Sequence, residues 1–118
     1  MIKIRRNVFE TNSSMTHSMV LMSDEQYKAW EEGELYVDFW RNKFYTREQV
    51  EREMIGKYGH DLREYSDMES FDREVAYDMD AISLREYENR IVTWYETYDT
   101  HYIVDDKSIH AVGYYGHD

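Results

Sequence analysis

From residue 90 onward the sequence changes period, and that change constrains the fold more than any other feature. "RIVTWYETY", "THYIVDD" and "SIHAVGYYG" are three runs rich in β-branched and aromatic residues, separated by short polar breaks. They read as a C-terminal β-meander. Before them the apolar spacing is mostly three and four, the signature of amphipathic helices. Ser23 with Gln26, and Ser83 with Glu86, form capping-box patterns that open helices. Thr46 caps a further helix over "REQVEREMIGKY", with Val50, Met54 and Tyr58 on one stripe and Gly59 as its stop. "IKIRRNVF" and "HSMVLM" read as N-terminal strands, the second of them central, and "ELYVDFW" with the returning "FY" as a hairpin about "RNK". The order of strands, helix, hairpin, helices and meander predicts one α+β domain over residues 1–118 with a mainly antiparallel sheet.

Composition narrows the function classes. There is no cysteine, which excludes disulfides and thiolate metal sites. Twelve Tyr, four Phe and three Trp supply enough large apolar area for one core despite 33% charged residues. No apolar run approaches the length of a membrane span, and no signal-peptide run follows the basic start, so a cytoplasmic location is expected. The net charge of −11, from 14 basic and 25 acidic residues, opposes direct nucleic-acid binding. It suits a basic protein partner or plain solubility.

The acid is unevenly spread. Residues 61–80, "DLREYSDMESFDREVAYDMD", hold apolar Leu62, Tyr65, Met68, Phe71, Val75 and Met79 at helical spacing. The segment is expected to be helical, with Asp61, Glu64, Asp67, Asp72, Glu74 and Asp78 projecting from it. Such a face can imitate a phosphate track to a protein built to hold nucleic acid. Tyr65 and Tyr77 would add rigid contact area. The alternative is an ordinary solvated helix face.

Five histidines, His17, His60, His101, His110 and His117, form no local metal motif. A spatial zinc site remains open. A four-residue loop over residues 105–108 would pair His101 with Val112 and make His101 and His110 diagonal neighbours on one face. His17 and a carboxylate such as Glu10 would complete a nitrogen/oxygen site. A slip of one residue would put the two histidines on opposite faces. Ser13 or Ser14 beside His17 offers a nucleophile and a base, but there is no nucleophile-elbow motif, and turn hydrogen bonding accounts for those residues. His60, just past a helix end, needs no functional role.

The stretch "RRNVFETNSSMTHS" resembles the N-terminal signature, F-E-T-N-S-S-S-T-H-S, of a family of small acidic proteins carried by phages, prophages and other mobile elements of Gram-positive bacteria. Phe9, Glu10, Thr11, Asn12, Ser13, Ser14, Thr16, His17 and Ser18 carry the match, and Met15 stands where the family usually has serine. "GELYVDFWRNKFYTREQVE" and the terminal "AVGYYGHD" continue the likeness, with His117 replacing a usual tyrosine. Some phage proteins of similar look are anti-CRISPR proteins that inhibit the RNA-guided type II effector nuclease of the host. The resemblance thus implies a nuclease inhibitor without catalytic activity, acting on a basic nucleic-acid channel. The resemblance also directs attention to His17 with Glu10, Asn12 and Thr16 as a polar site. The alternatives are a small metal-dependent hydrolase around His17 and a phage protein of unrelated structural role.

Overall fold

The computed structural model describes the backbone of residues 15–117 and the side chains of residues 18–115. The first predicted strand, residues 2–9, lies outside the described residues. β1 (Met15–Ser23) leads into α1 (Asp24–Glu31), then the hairpin β2 (Leu35–Asp38) and β3 (Lys43–Thr46). α2 (Arg47–Gly56), a 3₁₀ turn at Leu62–Glu64 and α3 (Met68–Met79) follow. Helix α4 covers residues 84–94, with a π-helical stretch at Tyr87–Ile91 between short α-helical ends. The chain closes with β4 (Glu96–Val104) and β5 (Lys107–His117). The class is α+β with antiparallel sheets, as the sequence predicts.

The main sheet has the order β1–β5–β4. Among the described residues β5 is the central strand, and β1, expected to be central, has one described neighbour, β5. The predicted three-strand meander is a two-strand hairpin, because residues 90–94 continue α4. The residues "RIVTW" have strand propensity, but Tyr87 and Ile91 are buried one turn apart and keep the chain helical. The Tyr87 hydroxyl reaches the sheet itself, donating to the Gly113 carbonyl at 2.7 Å beside the Tyr98 carbonyl at 3.2 Å.

Strand β2 is buried along its whole length because it forms the wall between two apolar clusters. Leu35, Val37 and Phe39 face the cluster built on Trp30, Val20, Met22 and Val112. Tyr36 faces the other way, toward Val50, Met54, Phe71 and Val75. Side chains alternate across a strand, so four or five residues serve two cores. Val37 exchanges both backbone hydrogen bonds with Ile82, and the Ile82 carbonyl also accepts the Trp30 indole N–H at 3.0 Å. Trp30 is completely buried and meets Tyr27, Phe39 and Tyr87 edge-on.

The helix starts follow the sequence. Ser23 and Thr46 each make a reciprocal capping box with the glutamine three residues on. Ser83 caps α4 by accepting the Glu86 amide, while the Glu86 side chain turns instead to Arg90, with Nε 2.9 Å from Oε2.

Gly113 faces β1 at close range. A Cβ there would lie 2.2 Å from the Ser18 carbonyl and 2.7 Å from the Tyr98 hydroxyl. The carbonyl is backbone and cannot step aside cheaply. Gly113→Ala is expected to cost about 1–3 kcal/mol of stability through overpacking, read as a lower urea midpoint with an unchanged slope.

Candidate functional site

The segment from 61 to 80 is not one helix. The 3₁₀ turn at Leu62–Glu64 ends at Tyr65, and α3 starts afresh at Met68 with Asp67 as its N-cap. The six predicted contact carboxylates then divide by role. Asp61 caps the 3₁₀ turn and holds Arg63 in two side-chain bonds of 3.0 and 3.1 Å. Asp67 accepts the Ser70 amide at 2.8 Å. Asp72 is 3% exposed, accepting from the Tyr36 hydroxyl at 2.6 Å and facing Arg85 at 3.4 Å. It is a core group and not a displayed one. The helical spacing that buries Phe71 and Val75 buries Asp72 with them. Asp78 and Glu74 turn toward His60, and only Glu64 stands exposed without a partner among the described residues. Of the two tyrosines expected to add contact area, Tyr77 is exposed and Tyr65 is bonded to His60.

His60 is a clasp. Its Nε2 lies 2.6 Å from Asp78 and 3.9 Å from Glu74, and its Nδ1 lies 2.9 Å from the Tyr65 hydroxyl. Both ring nitrogens are engaged, so the imidazole ties the exit of α2 to α3.

The hairpin histidines meet more closely than predicted. Asp105 and Asp106 both have positive φ, at 51° and 64°, which makes a two-residue turn in place of the four-residue loop. Val104 therefore pairs with Lys107, and His101 lies directly opposite His110. The pairing moves by two positions relative to the expected one, so both histidines keep a common face. Their rings stack at 4.7 Å and 14°. Tyr27 stacks on the other side of His110 at 4.1 Å, and its hydroxyl donates to Asp99.

The third member of this cluster is Asp24, which the sequence reading did not single out. Its Oδ1 lies 2.7 Å from His110 Nε2 and 4.0 Å from His101 Nε2. Ser108 Oγ lies 2.8 Å from His101 Nε2. The hydrogen bond with His110, aided by Ser108 and by the two imidazoles, holds the Asp24 carboxyl below its ordinary pKa. The available signal was its place in the first turn of a capped helix, where carboxylates are common for electrostatic reasons alone. Of the two other predicted ligands, only the backbone of His17 is described. The backbone register sets His17 opposite Tyr115, five residues along β1 from the Met22–His110 pair, or roughly 17 Å at strand rise. Glu10 lies outside the described residues, as do Asn12, Ser13 and Ser14.

Charge is also distributed differently from expectation. Every arginine among the described residues is within ion-pair distance of a carboxylate of this same chain. Arg41 is held by Asp38, whose carboxylate is fully buried and also accepts the Trp40 and Arg41 amides. Glu25, Glu31, Glu32 and Glu34, on and just after α1, have no ion pair among the described residues and are exposed. Glu88 of α4 and Asp99 of β4 extend this surface. Burial, the bond to Asp99 and the charges of Asp99, Glu31 and Glu88 all push the Tyr27 phenol upward in pKa. A separate groove of about 580 Å³ lies under the exposed Trp40 and Trp94, with Tyr95, Tyr114 and Asp80 in its lining. Nothing in the apolar periodicity marked those tryptophans as exposed.

The reassignment of the acidic segment can be measured. Asp72→Ala leaves the Tyr36 hydroxyl buried without its acceptor and is expected to cost about 1–3 kcal/mol. Glu64→Ala is expected to stay within about 0.5 kcal/mol of the parent, both read by urea denaturation. No protein-family model, curated protein or solved structure matches this chain.

Proposed function

We propose that the chain acts by binding and not by turnover, as an inhibitor that occupies a cationic surface of an RNA-guided type II CRISPR effector nuclease and keeps target nucleic acid from loading. The observation that carries this reading is the division of charge. The described arginines are engaged by the protein's own acids, while Glu25, Glu31, Glu32, Glu34, Glu88 and Asp99 form a net-acidic surface over α1 and its neighbours, where they outnumber Lys28. Carboxylates presented this way repel polynucleotides and attract cationic grooves. The resemblance of "RRNVFETNSSMTHS" and "AVGYYGHD" to the phage-borne family supports the choice of partner.

This reading moves the contact surface from residues 61–80 to α1 and the adjoining hairpin. The working groups are the carboxylates themselves, which would pair with lysines and arginines that otherwise grip phosphate. Electrostatic complementarity of this kind acts mainly on the association rate and on its salt dependence. The exposed Trp94 and Trp40 supply rigid aromatic area of the sort that anchors interfaces.

The test is association with purified effector nuclease. A complex is expected at low salt and should weaken as salt rises. Reversing Glu31, Glu32 and Glu34 together to lysine should slow association about tenfold or more, while Glu64→Lys should change it little. Absence of a complex at low salt would remove the proposal, and so would retention of DNA or RNA by the chain itself.

A further inference from the structure

We propose that Asp24, His101 and His110 form a binding site for one divalent cation of the zinc class, joining the start of α1 to the β4–β5 hairpin. The donor atoms are two imidazole nitrogens and a carboxylate oxygen, and all lie within 4.8 Å of one another. That donor set suits zinc, which takes nitrogen and oxygen ligands in tetrahedral sites. No sulfur ligand is needed, consistent with a chain that lacks cysteine.

The geometry is close to what the ion requires. Zinc–ligand bonds of about 2.0–2.2 Å at tetrahedral angles place donor atoms ~3.3 Å apart. The His110–Asp24 separation of 2.7 Å must open slightly, and the His101–Asp24 separation of 4.0 Å must close. Both adjustments are within reach, because the Asp24 and His101 side chains are half exposed or more. The imidazoles are fixed on directly opposed positions of a hairpin. Their rings are stacked nearly parallel, so the exposed His101 ring must tilt for both in-plane nitrogen lone pairs to meet one ion. His101 Nε2 would exchange its hydrogen bond with Ser108 for the ion, leaving the Ser108 hydroxyl to orient the Asp24 carboxylate.

The field favours a cation as well. Tyr27, which covers His110, is itself ringed by Asp99, Glu31 and Glu88. Three protein donors leave the fourth position for water or for a donor from a partner. The His60 cluster is the weaker candidate. It offers one nitrogen with two carboxylates, and the second ring nitrogen is tied to the Tyr65 hydroxyl.

The inference stands apart from the identity of the partner protein, and its test needs none. Zinc chloride titrated calorimetrically into the full chain should saturate at one equivalent. His101→Ala and His110→Ala should each lower the affinity more than about 100-fold, beyond the roughly 10–100-fold typical of losing an outer-shell contact. Asp24→Asn should weaken binding at least about tenfold. His60→Ala and His17→Ala should leave the isotherm unchanged. Cobalt in place of zinc should give the visible absorption of a tetrahedral site, lost in His101→Ala. His101 lies on the exposed hairpin, so that variant decides the matter even if His110→Ala folds poorly. No saturable zinc binding by the parent chain would overturn the proposal. So would a parental isotherm in His101→Ala, or loss of binding in His17→Ala instead.

Discussion

The fold depends on one short strand having no solvent-facing side. β2 sends Leu35 and Val37, with Phe39 just after it, into the cluster around Trp30, and Tyr36 into the cluster under α2 and α3. Neither cluster is complete without it. The strand's polar burden is handled locally. Tyr36 donates its hydroxyl proton to Asp72, and the buried Asp38 carboxylate accepts two amides and the Arg41 guanidinium. A buried carboxylate left bare would be costly, so these contacts are conditions of burial as much as gains from it.

A chain carrying this much acid must keep its carboxylates from opposing the compact state. It does so with two devices. Some cap helix amides, as Asp61 and Asp67 do. Some pair with arginines on the same or the next turn, as in Glu48–Arg52 and Glu69–Arg73. Exposed pairs of this sort contribute little individually, but they take positive charge out of the outward field. Among the carboxylates left without an ion pair, Glu25, Glu31, Glu32 and Glu34 lie together on and just after α1. The acids of residues 24–34 are visible in sequence, and three-dimensional pairing adds that they, unlike Asp61 or Asp72, form no ion pair with an arginine among the described residues.

The sequence was legible where local chemistry decides. Ser23, Thr46 and Ser83 announced three helix starts, and "ELYVDFW" announced β2, because caps and β-branched runs act within a few residues. It misled where tertiary packing overrides propensity. "RIVTW" looks like strand, yet the buried pair Tyr87 and Ile91 extends α4 through it. Asp72 looked like a surface acid because its neighbours in sequence are acids, whereas its neighbours in space are Tyr36 and Arg85. The candidate ligand set was half visible. His101 and His110 share a hairpin, so counting along two strands brings them near each other. Asp24 joins them from an element 86 residues from His110, and only the docking of α1 on the sheet reveals it.

The direct opposition of His101 and His110 also bears on the order in which the molecule assembles. The two imidazoles are separated in the chain only by the hairpin's own tip, so their encounter requires little loop closure and belongs to the microsecond class of events. The carboxylate arrives from the far end of the chain and must wait for contacts of high sequence separation. Low sequence separation thus predicts that the pair of rings forms early in folding, while much of the remaining topology has yet to close around it.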